Sequence, residues 1–178
     1  DSQFAEFWLG KLKYQPVQTF SPDNHNAQAD FYATDITIDL NGCAAFEMHS
    51  VQGNTDISLV VPGMHNVGNA LVAAALTMAV GATLEDVKYG LQDMQAVGGR
   101  LKVVPLTEQV RILDDTYNAN VGSVKAAIDT LASFSGRRVL VLGDMAELGE
   151  KARYYHEQVG EYAKEKFIDC LYTSGVLS

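Results

Sequence analysis

Ile57-Ser58-Leu59-Val60-Val61-Pro62-Gly63-Met64-His65-Asn66-Val67-Gly68-Asn69-Ala70 is the stretch where the apolar residues change period. Before it, aromatic and β-branched segments are separated by Asn, Asp, Gly and Pro, a texture of strands and turns. Residues 31–40 carry Thr34, Ile36, Ile38 and Leu40 on one parity, and residues 44–50 and 57–61 follow. Asn41-Gly42 and Gly53-Asn54 supply turn chemistry between them, which predicts an antiparallel meander. After Pro62-Gly63, residues Val67, Ala70, Leu71, Ala74, Ala75 and Met78 recur at helical spacing until Gly81. Thr83 with Asp86 three places on has the form of a capping box and opens a second helix through about Met94.

The Gly98-Gly99 pair then breaks the chain, and a boundary is expected there between domains over residues 1–99 and 100–178. Strands are expected near 101–104 and 110–113, then a helix over about 123–134 and a continuous, buried apolar strand at 139–142. A helix near 150–165, its His156 on the surface, and a strand at 168–172 complete the series. Strand, helix, strand, helix, strand at these lengths predicts an α/β fold with a parallel sheet and right-handed crossovers. A sheet of so few strands has an unpaired edge, so the chain is expected to be a fragment of a longer polypeptide.

Composition removes several function classes. The 178 residues are 47% hydrophobic and 20% charged, ordinary for a globular protein. A formal charge of -9, with Lys and Arg scattered, argues against nucleic acid as a partner. The apolar run 70–80 is too short to cross a bilayer, and Asp1-Ser2-Gln3 does not open a signal peptide, so no membrane partner is expected. Cys43 and Cys170 are far apart and lack Cys-x-x-Cys spacing, which fits a reducing cytoplasm and indicates neither a disulfide framework nor a zinc site.

Four constellations could carry chemistry. Asn66 and Asn69 lie three apart at a helix start, and an amide offers the donor and acceptor that match the N6 and N7 edge of adenine. Asn66 or His65 could equally cap the helix. In Asp114-Asp115-Thr116-Tyr117-Asn118-Ala119-Asn120, at the carboxyl end of a strand, Asp115 could accept from ribose hydroxyls; alternatively both aspartates serve a turn and Asn120 caps a helix. Arg100, beside the two glycines, could hold a phosphoryl group in a contact that depends on domain closure, or it could be a solvated surface residue. Gly143-Asp144-Met145-Ala146-Glu147-Leu148-Gly149 could meet a ligand amine or metal, or form a tight turn with acids at a helix start.

A phosphate cradle is missing: the Gly10-Lys11 pair is followed by Leu12 and has Ala5 where the first glycine should stand. Gly-x-Ser-x-Gly is also missing, and the four histidines are dispersed.

His65-Asn66-Val67-Gly68-Asn69-Ala70, Gly99-Arg100, residues 114–120 and residues 143–149, in this order and spacing, resemble the Mur ligase family of peptidoglycan synthesis. The resemblance covers nearly the whole chain. It implies the second half of a central ATPase domain, with antiparallel strands and helices, over residues 1–99. The start of a Rossmann-like, parallel-sheet C-terminal domain would follow over 100–178. It further implies a ligase that uses ATP and Mg²⁺ to phosphorylate a carboxylate, after which an amine attacks the acyl phosphate. The Tyr-Asn-Ala-Asn and Gly-Asp-Met-x-Glu-Leu-Gly pieces point to UDP-N-acetylmuramoyl-tripeptide and D-alanyl-D-alanine as the substrates. A related folate and glutamate ligase, or a nucleotide-binding module without catalysis, stays open. By the resemblance, Asn66 and Asn69 would meet adenine, Arg100 the phosphates as the catalytic cation, and Asp115 the ribose. Tyr117, Asn118 and Asn120 would stand near the incoming dipeptide or substrate. The metal ligands and phosphate loop would precede Asp1, so the chain is expected to be inactive by itself. Met64 stands where the family usually has Arg, and Gly98 where it usually has Pro.

Overall fold

The structure is a computed structural model and describes residues 4–22 and 28–178; Asp1-Ser2-Gln3, read above for a leader, lies outside the described residues. The chain divides into two compact units. The first comprises Asp1–Asp39, Ala44–Val60 and His65–Met94, and the second Leu40–Cys43, Val61–Met64 and Gln95–Ser178.

The first unit opens on helix α1 (Ala5–Lys11), none of whose residues is buried. A four-stranded sheet follows in the order β1 (Phe20–Ser21), β2 (Phe31–Ile38), β3 (Cys43–Ser50) and β4 (Gly53–Pro62). β2 and β3 pair antiparallel as the meander predicts, whereas β1 joins β2 in parallel. The single parity expected for residues 31–40 holds only for part of the strand. Phe31 and Ala33 are the buried positions of β2, and Ile38 and Leu40 are exposed. An irregularity between Thr34 and Thr37, where Asp35 has φ 53°, shifts the register against β3, and the core side passes from Phe31 and Ala33 to Ile36. An extra residue in one strand turns every later side chain to the other face.

Helix α2 (His65–Ala79) lays Val67, Ala70, Leu71, Ala74 and Met78 into a core with Phe31, Phe46, Met48, Ile57 and Leu59. Each buried Leu, Val, Ile, Phe or Met side chain contributes about 1.5–3 kcal/mol, more than helix propensity can, so packing holds α2 in place. Helix α3 (Leu84–Gln92) starts at the expected capping box: Thr83 N–H donates to Asp86 at 2.9 Å and Asp86 N–H donates to Thr83 Oγ1 at 3.2 Å.

In the second unit β5 (Lys102–Pro105) and β6 (Arg111–Asp114) form an antiparallel hairpin. The strand near 110–113 is thus hydrogen-bonded to its sequence neighbour and is not in the same sheet as β7 (Val139–Gly143), which pairs in parallel with β8 (Cys170–Ser174). Helix α4 (Val121–Ser133) precedes β7, and α5 (Ala152–Glu165) connects β7 to β8. Val124 and Ile128 of α4, Val159 and Ala163 of α5, Leu140 and Leu142 of β7, and Met145 share one core. β7 is covered on one face only: Leu142 is 8% exposed and Val141 is 71% exposed. The strand expected to be buried throughout is therefore half-covered among the described residues.

Among the described residues, no helix is long and apolar enough to cross a membrane.

Candidate functional site

The first unit contributes an amide pair. Asn66 and Asn69 lie in the first turns of α2, one turn apart, and Asn69 Nδ2 donates to Asn66 Oδ1 at 2.9 Å. The i, i+3 spacing makes this contact possible, and it leaves the second Nδ2 hydrogen of Asn69 and its Oδ1 on an exposed side chain. His65 is the first residue of the helix.

The second unit contributes a clamped arginine. Gly99 N–H donates to Asp114 Oδ2 at 3.1 Å, and Leu101 N–H donates to Asp115 Oδ1 at 3.1 Å. Tyr117 N–H returns a bond to Gly99 C=O at 3.0 Å. Both neighbours of Arg100 are thus fastened to the end of β6 and the residues just after it. Gly99 and Leu101 have φ 74° and 50°, so the chain curls through the left-handed region on either side of Arg100. A Cβ on Gly99 would stand 3.0 Å from Tyr117 N and 3.1 Å from Tyr117 Cβ, so glycine is required for the close approach. Arg100 is exposed, and its guanidinium carbon lies 4.5 Å from the centroid of the Tyr117 ring.

Asp114 takes the turn role that the sequence offers it and also holds Gly99. The Thr116 hydroxyl, at 2.7 Å, holds its carboxyl below the usual carboxylate range, helped by the Gly99 and Thr116 N–H groups and the Lys102 charge. A carboxylate kept ionised is a strong acceptor for the Gly99 bond.

Of the other candidates, Asn118 Oδ1 accepts from Ala119 N–H at 2.9 Å. Asn120 is the N-cap of α4: its Oδ1 accepts from Ser123 N–H at 2.9 Å, and Ser123 Oγ accepts from Asn120 N–H at 3.0 Å. Asn66 and Asn69 therefore form one group, and Arg100, Asp115 and Tyr117 another with Asp114.

The segment 143–149 is a structural corner. Asp144 accepts from the N–H groups of Val176, Leu177 and Ser178 at 2.8, 3.0 and 2.8 Å, and from Ser178 Oγ at 2.8 Å. Successive N–H groups cradle an anion, and here the anion is the protein's own side chain. The Val176 bond first, then the Ser178 hydroxyl and the remaining N–H groups, bring the Asp144 pKa down to about 2. His156, expected on the helix surface, is buried at 6% exposed. Its Nε2 accepts from Met145 N–H at 2.8 Å, and its Nδ1 lies 2.8 Å from Ala152 C=O. Among the described residues, no group of three or more His, Cys, Asp or Glu could hold a metal ion.

Two family models match the chain. The Mur ligase middle domain matches residues 1–77, and the domain described as Mur ligase, glutamate ligase domain matches residues 99–177. UDP-N-acetylmuramoyl-tripeptide D-alanyl-D-alanine ligase of Escherichia coli (strain K12) is 47% identical over 168 residues, covering 94% of this chain and 36% of that protein. A crystal structure of MurF from Acinetobacter baumannii superposes with a TM-score of 0.91 at 32% identity, over 99% of this chain and 38% of that one. The MurF ligase of Thermotoga maritima, solved in complex with ADP, superposes with a TM-score of 0.76 at 25% identity, over 96% of this chain and 38% of that one. The chain spans little more than a third of the length of each of these relatives.

Proposed function

This chain belongs to the Mur ligase family, and from that premise we propose that it is part of an ATP-dependent, ADP-forming ligase that joins D-alanyl-D-alanine to UDP-N-acetylmuramoyl-tripeptide. The observation that carries the reading is Arg100. Its backbone is fixed from both sides, through Gly99 and Leu101, by Asp114 and Asp115, and its guanidinium is exposed and without an ion pair among the described residues. A cation held so, with its backbone already ordered, suits the charge that develops as a phosphoryl group moves to a carboxylate.

In this reading the substrate carboxylate takes the terminal phosphoryl group of ATP and ADP leaves. The dipeptide amine then attacks the acyl carbon and releases phosphate. Arg100 meets the phosphates. The Asn66–Asn69 pair meets adenine through the exposed edge of Asn69, and Asp115 meets the ribose through the oxygen not spent on Leu101. Asn118, Asn120 and Tyr117 stand near the dipeptide. Magnesium, with ligands from elsewhere in the complete polypeptide, would offset phosphate charge. The division into a partial central domain over residues 1–99 and a partial C-terminal domain over 100–178 belongs to the same proposal, as does a cytoplasmic location.

The test uses the complete polypeptide. ADP release should require both UDP-N-acetylmuramoyl-tripeptide and D-alanyl-D-alanine, and glutamate should not replace the dipeptide. Arg100→Ala should lower kcat/KM for ATP on the order of 10²-fold, and Asn69→Ala should raise the KM for ATP. ADP release that follows glutamate and a folate in place of the dipeptide would overturn the assignment.

A further inference from the structure

The clamp on Arg100 fixes its backbone but leaves a long side chain with several rotatable bonds to be aimed. The structural feature that aims it is the Tyr117 ring, 4.5 Å from the guanidinium carbon. Tyr117 is itself fixed, because its N–H donates to Gly99 C=O at 3.0 Å, and the missing Cβ of Gly99 is what lets the two segments meet. Tyr117 is 69% exposed, so it contributes little to the core of the second unit. An exposed aromatic that is pinned at its backbone and carries a cation on its face has a use for that face.

From this we infer that Tyr117 is a positioning residue for Arg100: its ring holds the guanidinium in the orientation that receives phosphate, and its hydroxyl is dispensable for that task. The inference rests on the proposal that Arg100 meets the phosphates of ATP, and it gives Tyr117 a task separate from any contact with the dipeptide. The chemistry suits a ring better than an acid. A carboxylate facing Arg100 would neutralise the charge that the phosphates need, whereas an aromatic face restricts the guanidinium and leaves its N–H fork available. Asp114 and Asp115 spend their bonds on the backbone N–H groups on either side, so the two carboxylates hold the loop while the ring orients the side chain.

The experiment is steady-state kinetics of the complete polypeptide with ATP as the varied substrate. Tyr117→Leu keeps the bulk and the backbone N–H but removes the aromatic face. It should lower kcat/KM for ATP by about threefold to tenfold. Tyr117→Phe should recover the ATP kinetics that Tyr117→Leu loses. In an Arg100→Ala background Tyr117→Leu should add nothing, because the two residues act as one unit. A full additional loss in that background overturns the inference, as does a Tyr117→Phe variant no better than Tyr117→Leu. So does a Tyr117→Leu defect confined to the dipeptide KM. An Arg100→Ala variant with unaltered ATP kinetics would overturn the phosphate assignment itself, and this inference with it. Should Tyr117→Leu fail to fold, the wild-type protein still decides: the Arg100 side-chain protons should be shifted upfield by the ring current, and ordinary shifts would overturn the stack.

Discussion

Met145 N–H donates to Nε2 of His156 at 2.8 Å, in the core formed by α4, α5 and β7. A backbone N–H can only donate, so Nε2 is the accepting nitrogen and Nδ1 carries the proton, which it gives to Ala152 C=O at 2.8 Å. His156→Leu would leave the Met145 N–H without an acceptor at a position 3% exposed, a loss of about 1–3 kcal/mol. Hydrogen exchange should show it: the Met145 amide exchanges roughly 10- to 100-fold faster in the variant. An unchanged rate would mean that the bond contributes nothing.

Asp144 predicts a pH dependence with a definite sign. Its carboxyl falls from an ordinary 3.8 to about 2 through the Val176 N–H first and the Ser178 hydroxyl next. A depressed folded pKa contributes stability that is complete above the unfolded value and is lost as pH falls through the folded one. The order of residues 175–178 should therefore be intact above pH 3.8 and be lost as pH falls through about 2. The amide resonances of Val176, Leu177 and Ser178 should titrate together with a midpoint near 2, and in Asp144→Asn they should lose that step. Gly175→Ala should disrupt the same corner, because Gly175 has φ 147° and its added Cβ would fall on the Asp144 carboxylate.

Asn120 can be asked whether it does more than cap α4. Asn120→Ala should cost about 0.5–2 kcal/mol and speed exchange at the Ser123 amide, while Asn120→Ser should restore most of the loss. Kinetics then separate the two roles. If the amide also meets the dipeptide, Asn120→Ser keeps the stability and raises the KM for D-alanyl-D-alanine. Wild-type kinetics in that variant would confine Asn120 to the cap.

β7 and β8 hydrogen-bond only to each other among the described residues, so each has an outward row of N–H and C=O groups. Val141, at 71% exposed, and Tyr172, at 58%, add apolar surface to this pair. Open strand edges of this kind template further pairing. Light scattering of this 178-residue chain should show mass that rises with concentration, and a monomer across the range would refute the expectation.

Much of the first unit was legible because its signals are local. The α2 stripe and the Thr83–Asp86 box each lie within a few turns of helix, and the Asn66–Asn69 contact follows from one spacing. The β2 parity was only half legible: the apolar positions pass from Phe31 and Ala33 to Ile36, but no letter marks Asp35 as the left-handed residue that reverses the faces. α1 was hidden in a segment whose aromatics favour strands. In the candidate site, residue types near the Gly-Arg and Asp-Asp motifs were readable, but the links between them were not. Asp114, Asp144 and His156 all bind backbone N–H groups, which every residue but proline possesses, so no sequence letter announces the partner.

Seven residues make a helix of barely two turns, and α1 has no side chain buried: Phe7 and Trp8 are both 56% exposed. A segment that short is marginal when its own hydrogen bonds are all that support it. In this chain on its own the segment should unravel easily, and trypsin would find Lys11 and Lys13 first, long before Lys88 within α3 or Lys125 within α4. A limited digest followed by mass spectrometry would read how firmly the α1 segment is fastened.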